Sequence, residues 1–553
     1  MEGPASGRVE RPAPFERAPA GRSHGQTRRP PWIWALPALL TVALVNLPLV
    51  YIFLRAGENG LEGFRDTVFT PQTAALVGRS LLLVGASVTV ALAVALPAAW
   101  LVVRTNLPAR KLWATLAALP LVFPSYVSAF ALVAFLGPRG YLQGWLEPLG
   151  VERLPDIAYG FSGALLALAF FTYPYVYLLL VAALRDLDPA LEESARSLGA
   201  GPWRTFFTVI LPQLRPSLLA GSLLVALYTL SDFGAVSIVR YNTFTLSIYN
   251  AYRGLFDRTA AASLATLLVV VTLVLVAAEG YFVRRQRPHR SRISRPPTKL
   301  SLGSWKWPSL FGLGALASFT LGIPMGVVGF WGVRGLIQGN SLGRVGDAVW
   351  SSLSVSVTAA ILASVLALPI AAWAVRKGDP MALWVERLCY SGYALPGLVI
   401  ALSLVFFTVR FARPLYQTLP ILVFAYLVRF LPEAVAAVRS AMASVAPAFQ
   451  EAARGLGRTP LQAMVTVTLP MILPGVLSGL GLVFLTSMKE LPATLLLRPT
   501  GFETLATEIW SHASEAIYSE AALPSLTLLL ATAPPLYFLI IRPALQERPA
   551  SSL

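Results

Sequence analysis

Lysine is scarce in this chain of 553 residues. Only Lys111, Lys299, Lys306, Lys377 and Lys489 occur, and none follows a glycine. A Gly-Lys-Ser/Thr phosphate loop is therefore absent, and a Walker-type ATPase within the chain is excluded. Cys389 is the single cysteine, which rules out an intramolecular disulfide and a Cys-cluster metal site. His24, His289 and His512 are too far apart to form a local ligand spacing, so no metal site is assigned. Charged residues make up only 13% of the chain, and neither a Ser-His-Asp arrangement nor a catalytic carboxylate pair can be assembled from them. No enzymatic activity is expected. The chain is instead 56% hydrophobic with a mean hydropathy of +0.65, in long apolar runs that place it among membrane proteins.

Apolar runs long enough to cross a bilayer, at ~20 residues per crossing, are expected at about 32–55, 76–103, 112–136, 160–184, 215–238 and 260–283. A second group follows at about 309–332, 349–375, 388–411, 415–442, 472–488 and 524–542. The expected fold is an all-α polytopic membrane protein of about twelve helices in two groups of six. Residues 1–31 carry six arginines among Pro, Ala and Gly and read as a disordered basic tail. Residues 32–283 form a first half, 284–308 a basic linker and 309–545 a second half.

Basic residues exceed acidic ones by 44 to 27, but they sit in tails and short loops rather than on a soluble face, which argues against nucleic acid. The tail, the turn with Arg104, Arg110 and Lys111, the linker, and the turn Arg376-Lys377 fall on one side. By the positive-inside rule that side is cytoplasmic, and both termini lie there. The loops 56–75, 137–159 and 498–523 carry Glu and Asp and are placed outside.

The two halves are copies. Glu193-Ser-Ala-Arg-Ser-Leu-Gly199 is followed by Leu211-Pro212, and Glu451-Ala-Ala-Arg-Gly-Leu-Gly457 by Leu469-Pro470, with identical internal spacing at an offset of 258. Pro174, Pro189, Pro202, Pro216 and Gly221 have partners at the same offset, and Ser80, Pro97, Arg104 and Pro124 have partners at 272. Even-numbered halves make these parallel repeats about an axis along the membrane normal. Asp188 suits an N-cap, Pro189 and Pro447 suit a first helical position, and Gly199 or Gly201, with Gly457, can end each helix. Each loop (185–214 and 443–473) is therefore expected to hold a rigid helix about 15 Å long. A carboxylate serving only the helix dipole is the alternative reading of a single copy.

The motif resembles the EAA loop of binding-protein-dependent ABC importer permeases. The second copy keeps Glu-Ala-Ala, and the first departs only at Ser194. The resemblance implies a type I permease fold in a bacterial cytoplasmic membrane. It also implies two separate ATPase subunits that bind ATP and Mg, and a periplasmic or lipid-anchored substrate-binding protein. In that reading Glu193, Ala195, Gly199, Pro212, Glu451, Ala452, Ala453, Gly457 and Pro470 couple the chain to the ATPase.

Asp232 and Glu490 are a second matched pair, ~25 Å along their helices from Arg215 and Pro474, which suggests the outer leaflet. They line a path or gate, or else they are solvated or paired there, with Lys489 as a ready neighbour. Tyr228 and Tyr173 are further path candidates, against packing as the alternative. The stretches Ser231–Tyr249 and Lys489–Thr507 resemble ferric-iron importer permeases, which are also double-length. Fe(III) favours carboxylate and phenolate oxygens, and Tyr228, Asp232, Tyr241, Tyr249 and Tyr252 are close in sequence. Permeases for thiamine, polyamine, sulfate or phosphonate share the architecture. A secondary transporter driven by an ion gradient is the alternative of another class; it predicts buried charge near mid-membrane, which the spans as drawn do not show.

Overall fold

Two prolines produce the main departure from straight crossing helices. In the computed structural model, which describes residues 32–58, 60–151, 155–284, 299–339, 342–375 and 379–545, the described chain is helical apart from one isolated bridge between Thr105 and Leu300. Ten of its helices are long and apolar enough to cross a membrane. They are Trp32–Ala56, Pro71–Arg104, Gly160–Arg185, Pro202–Ser231 and Arg258–Tyr281, then Gly303–Ile337, Leu342–Ala374, Leu419–Ser444, Pro460–Met488 and Tyr518–Leu545. The expected straight crossing at 112–136 is instead a broken pair bent by 99°. Pro124 bars the α conformation at Phe123 (φ −76°, ψ 122°), so the chain turns there before Ser125–Leu136 begins. Pro396 does the same to Leu395 (φ −85°, ψ 125°), leaving Gly397–Phe411 as a short apolar helix. Among the described residues the count is thus ten, or eleven with the bent pair, against about twelve expected.

The basic tail 1–31, linker residues 285–298 and the turn Arg376-Lys377 lie outside the described residues. The described end of the linker is anchored: Leu300 donates to Arg104 O (2.8 Å) and accepts from the Asn106 amide (3.1 Å). Arg185 donates to Ala544 O (2.8 Å), bringing the last described helix to the same end of the bundle. Arg104, Arg110, Lys111, Arg185 and Lys299 therefore gather at one end.

The first helix of each half packs on the other half. Asn46, in Trp32–Ala56, donates to Leu388 O (3.1 Å) and accepts from the Ser391 hydroxyl (2.6 Å), and Ser403 donates to Pro48 O (2.8 Å). Conversely, Phe319 meets Phe170 with ring centres 4.9 Å apart, and Phe330 meets Tyr141 at 5.3 Å. Both buried apolar clusters accordingly contain residues of both halves. In a medium without competing water, such polar latches fix which helix faces which. Replacing Asn46 by Leu is expected to cost about 1–2 kcal/mol, the scale of one or two buried hydrogen bonds. The cost should appear as a lowered unfolding midpoint in detergent; an unchanged midpoint contradicts the latch.

Candidate functional site

Each duplicated loop folds as a short helix followed by a long one. The first loop helix, Pro189–Ser197, starts on Asp188, whose carboxylate accepts from the Ala190 amide (3.0 Å). It ends at Gly199 (φ +83°), not Gly201: the Gly199 amide donates to Arg196 O (2.9 Å) and the Ala200 amide to Ala195 O (3.0 Å). That pair of bonds is a Schellman cap, which needs a residue without a Cβ penalty at its left-handed position. The second loop helix, Pro447–Gly455, ends identically at Gly457 (φ +85°), with Gly457 N–H to Arg454 O (3.0 Å) and Arg458 N–H to Ala453 O (3.1 Å). Thr459 and Gln462 then form a capping box that opens the next helix.

Beyond the caps, Pro202–Ser231 and Pro460–Met488 each run unbroken into the bundle. Each carries one π-turn just before its Leu-Pro: the Leu211 amide reaches back to Phe206 O, and the Leu469 amide to Met464 O. Pro212 and Pro470 have no N–H to donate, and the widened turn accommodates that loss without breaking the helix. The π-turns were not anticipated from the sequence, although the Leu-Pro pair marks their place.

The two loop helices expose matching apolar side chains. Leu198 is 88% exposed and its counterpart Leu456 is 85% exposed. Leu191 and Phe449, Trp203 and Leu461, and Phe207 and Val465 are exposed at equivalent places. Glu193, Glu451 and Ala452 are also exposed, whereas Ala195 is half-buried and Ala453 buried against the bundle. Exposed apolar patches with a polar rim mark interaction sites. The inner face of the first loop helix is anchored by Glu192, which is buried and paired with both Arg104 and Arg196. Its counterpart Gln450 donates instead to Thr468 Oγ1 (2.9 Å).

At the far end of the two long helices the chain breaks again, and a polar cluster collects there. Asp232 and Glu490 are buried and act as helix caps. Asp232 Oδ1 accepts from the amides of Ala235 (2.9 Å) and Val236 (3.3 Å), and Glu490 Oε1 from that of Ala493 (3.2 Å). The partner of Glu490 is Arg429, whose Nε lies 3.3 Å from Oε2. Lys489 does not pair with it: its Nζ crosses to the other half and donates to Leu121 O (2.9 Å).

Arg429 stands ten residues into Leu419–Ser444, about 15 Å along that helix at 1.5 Å per residue. Glu433, one turn further along, accepts from Thr486 Oγ1 (3.0 Å). Ionisable side chains are therefore gathered inside the bundle, with Asp232 and Glu490 buried. Arg429 and Glu433 lay in an expected span, where any ionisable residue is a functional signal.

Of the tyrosines named from sequence, only Tyr228 joins this cluster, within electrostatic reach of Asp232 and Arg429 and beside Ser125. Tyr126 and Tyr426, unnoticed in the sequence, complete it near Glu490. Tyr241 packs on Phe161, Tyr252 on Phe406, and Tyr249 with Phe233 and Trp510. Tyr173 is fully buried against Leu313 and Leu316 of the other half's first helix, away from the cluster. Trp510 donates to Ser237 Oγ (2.8 Å) across the halves and closes the side away from the loop helices.

Residues 87–288 and 361–548 each match the family model described as binding-protein-dependent transport system inner membrane component. The Fe(3+)-transport system permease protein FbpB 2 of Haemophilus influenzae is 34% identical over 93% of this chain and 98% of its own length. The sulfate permease CysW and the molybdenum permease ModB of Escherichia coli are each 31% identical, over 43% and 35% of this chain and 83% and 86% of their own. Two copies of the family unit in one all-helical chain, each with its capped loop helix, make this a multi-pass membrane permease rather than an enzyme, and the chain belongs to the inner-membrane permease family of binding-protein-dependent ABC transport systems.

Proposed function

We propose that this chain imports ferric iron handed over by an external binding protein, powered by separate ATPase subunits docked on its two loop helices. The cargo reading rests on the Fe(3+) permease that aligns over 93% of this chain, whereas the sulfate and molybdenum relatives align with 43% and 35% of it. The basic end of the bundle, with Arg104, Arg110, Lys111, Arg185 and Lys299, is the cytoplasmic end. Both loop helices and both termini then face the cytoplasm. ATP and Mg are bound by the partner, not by this chain.

Two loop helices call for two ATPase subunits. ATP binding draws those subunits together, and each loop helix follows, held by its Schellman cap and by Ala195 or Ala453 against the bundle. Pro202–Ser231 and Pro460–Met488 carry the displacement to the breaks at Asp232 and Glu490. The halves rock apart on the outer side and accept cargo; hydrolysis and release of products restore the closed arrangement. The permease contributes contacts that differ between two conformations.

Glu193→Lys together with Glu451→Lys is expected to abolish copurification of the ATPase, and Leu198→Asp with Leu456→Asp to do the same; retention by both double variants contradicts docking on these helices. Arg104→Ala leaves the buried Glu192 with only the exposed Arg196 as its partner, at a cost of about 1–3 kcal/mol. Uptake should fall sharply, with ATPase copurification weakened but not lost. The cargo is tested by reconstituting the complex with its cognate binding protein and following radiolabelled Fe(III), sulfate, molybdate, thiamine and polyamine. Uptake of Fe(III) that needs ATP is expected. A preference for another solute overturns the cargo, and uptake driven by an ion gradient without ATP overturns the class.

A further inference from the structure

The mid-bundle cluster has an unusual composition for a structural ion pair. Three carboxylates (Asp232, Glu433, Glu490) face two cations (Arg429, Lys489), so the set carries an excess of negative charge where a bare carboxylate is costly. Lys489 is turned to the Leu121 carbonyl of the other half, which leaves Arg429 as the cation among the acids. Around them are polar atoms without partners. The Tyr126 hydroxyl has none although the residue is only 2% exposed, and it lies within electrostatic reach of Glu490, Tyr228 and Tyr426. Arg429 Nη1 also lacks a partner, and it stands with Glu490 Oε1 over Gly397. Buried polar atoms are normally satisfied, so two orphans beside one carboxylate indicate that another occupant completes the set in some state.

The backbone makes the same case. The breaks at Phe123-Pro124, Leu395-Pro396, Asp232 and Glu490 converge here: Ser125, the first residue after one break, lies beside Asp232, and Gly397, the first after another, beside Arg429 and Glu490. A Cβ at Gly397 would collide with the guanidinium and with Glu490 Oε1, so glycine keeps the space that Arg429 fills. Discontinuous helices whose broken ends meet inside the bundle are how transporters build a substrate site.

We propose that Asp232 and Glu490, with the phenols of Tyr126 and Tyr228, form a transient passage site for a hard, highly charged metal cation, and that Arg429 is the tethered cation that holds the site when no cargo is in it. Carboxylate and phenol oxygens suit such an ion, and an excess of negative charge disfavours an oxyanion. Among the described residues no three His, Cys, Asp or Glu side chains stand ready around one point, which fits a site that must release what it binds. As the cation enters, the guanidinium leaves Glu490; as the cation departs, Arg429 returns and the carboxylates are never left bare. No bond is made or broken beyond coordination.

This inference deepens the iron-import reading and rests on it, but its test does not use transport. The probe is Tb(III), a hard trivalent ion whose emission is sensitised by nearby excited tyrosine. It is titrated into the full chain assembled with its ATPase subunit in nanodiscs. Arg429→Gln should bind Tb(III) about tenfold tighter than the native chain, Arg429→Lys should stay near native, and Glu490→Gln added to Arg429→Gln should remove the gain. An Arg429→Gln chain that binds no tighter, or a gain that survives Glu490→Gln, overturns the proposal. Should Arg429→Gln fail to assemble, the native chain is compared with Glu490→Gln and Asp232→Asn at high Tb(III). Loss of tyrosine-sensitised emission in both supports the site, and its persistence in either overturns it. Failure of native Fe(III) uptake, by contrast, tells against the cargo reading alone.

Discussion

A helix that stops inside a membrane leaves backbone amides that no water can satisfy, and this structure depends on how that debt is met at Asp232 and Glu490. Each carboxylate accepts from amides of the short helix that follows its break. A neutral cap would serve those amides, but a carboxylate brings charge into the bundle and demands a counter-ion. Arg429 on Leu419–Ser444 supplies it, and Gly397 makes room for it. The cap, the cation, the missing side chain and the broken neighbouring helices are thus consequences of one another.

Duplication preserved the backbone devices and let the side-chain pairings diverge. Both halves keep the Schellman cap, the π-turn before Leu-Pro and the acidic cap beyond the long helix. The anchoring differs. In the first half Glu192 is pinned by Arg104, whereas Gln450 cannot take that role, and the second half instead pairs Glu386 with Arg439 where the first half has Ala114 and Val181. In the cluster Arg429 and Glu433 stand where the first half has Phe171 and Tyr175. The asymmetry lets one half carry the cations that face the acids of both.

What could be read from the sequence follows from which physical signals are local. The repeat, its capped loop helices and the apolar crossings were legible because a helix cap needs specific residues at fixed offsets, and a crossing needs length. Gly199 and Gly457 declared their left-handed caps directly. The breaks at Pro124 and Pro396 were only half legible: the prolines were visible, but a proline also sits inside the unbroken helices Pro71–Arg104 and Leu342–Ala374. The polar cluster was largely missed. Its members come from four separate stretches, and Tyr126, Tyr426, Arg429 and Glu433 acquire their meaning only from tertiary contact.

The loop helices and the mid-bundle cluster are not independent sites. Pro202–Ser231 and Pro460–Met488 begin beside the caps and end at Asp232 and Glu490, so each is a single helical rod with a loop helix at one end and an acid at the other. A π-turn sits near the loop end of each rod, where it absorbs the missing proline donor, and no second such turn interrupts the run to the acid. On the proposed docking, a displacement applied to Leu198 or Leu456 reaches the cluster along that rod. There it acts on a contact that crosses between the halves, Lys489 to the Leu121 carbonyl. That bond is short-range and strong in a low dielectric, so a modest separation of the halves switches it off rather than stretching it. In the proposed cycle, the movement that opens the outer side therefore frees Lys489 beside Glu490 only while the partner holds its nucleotide.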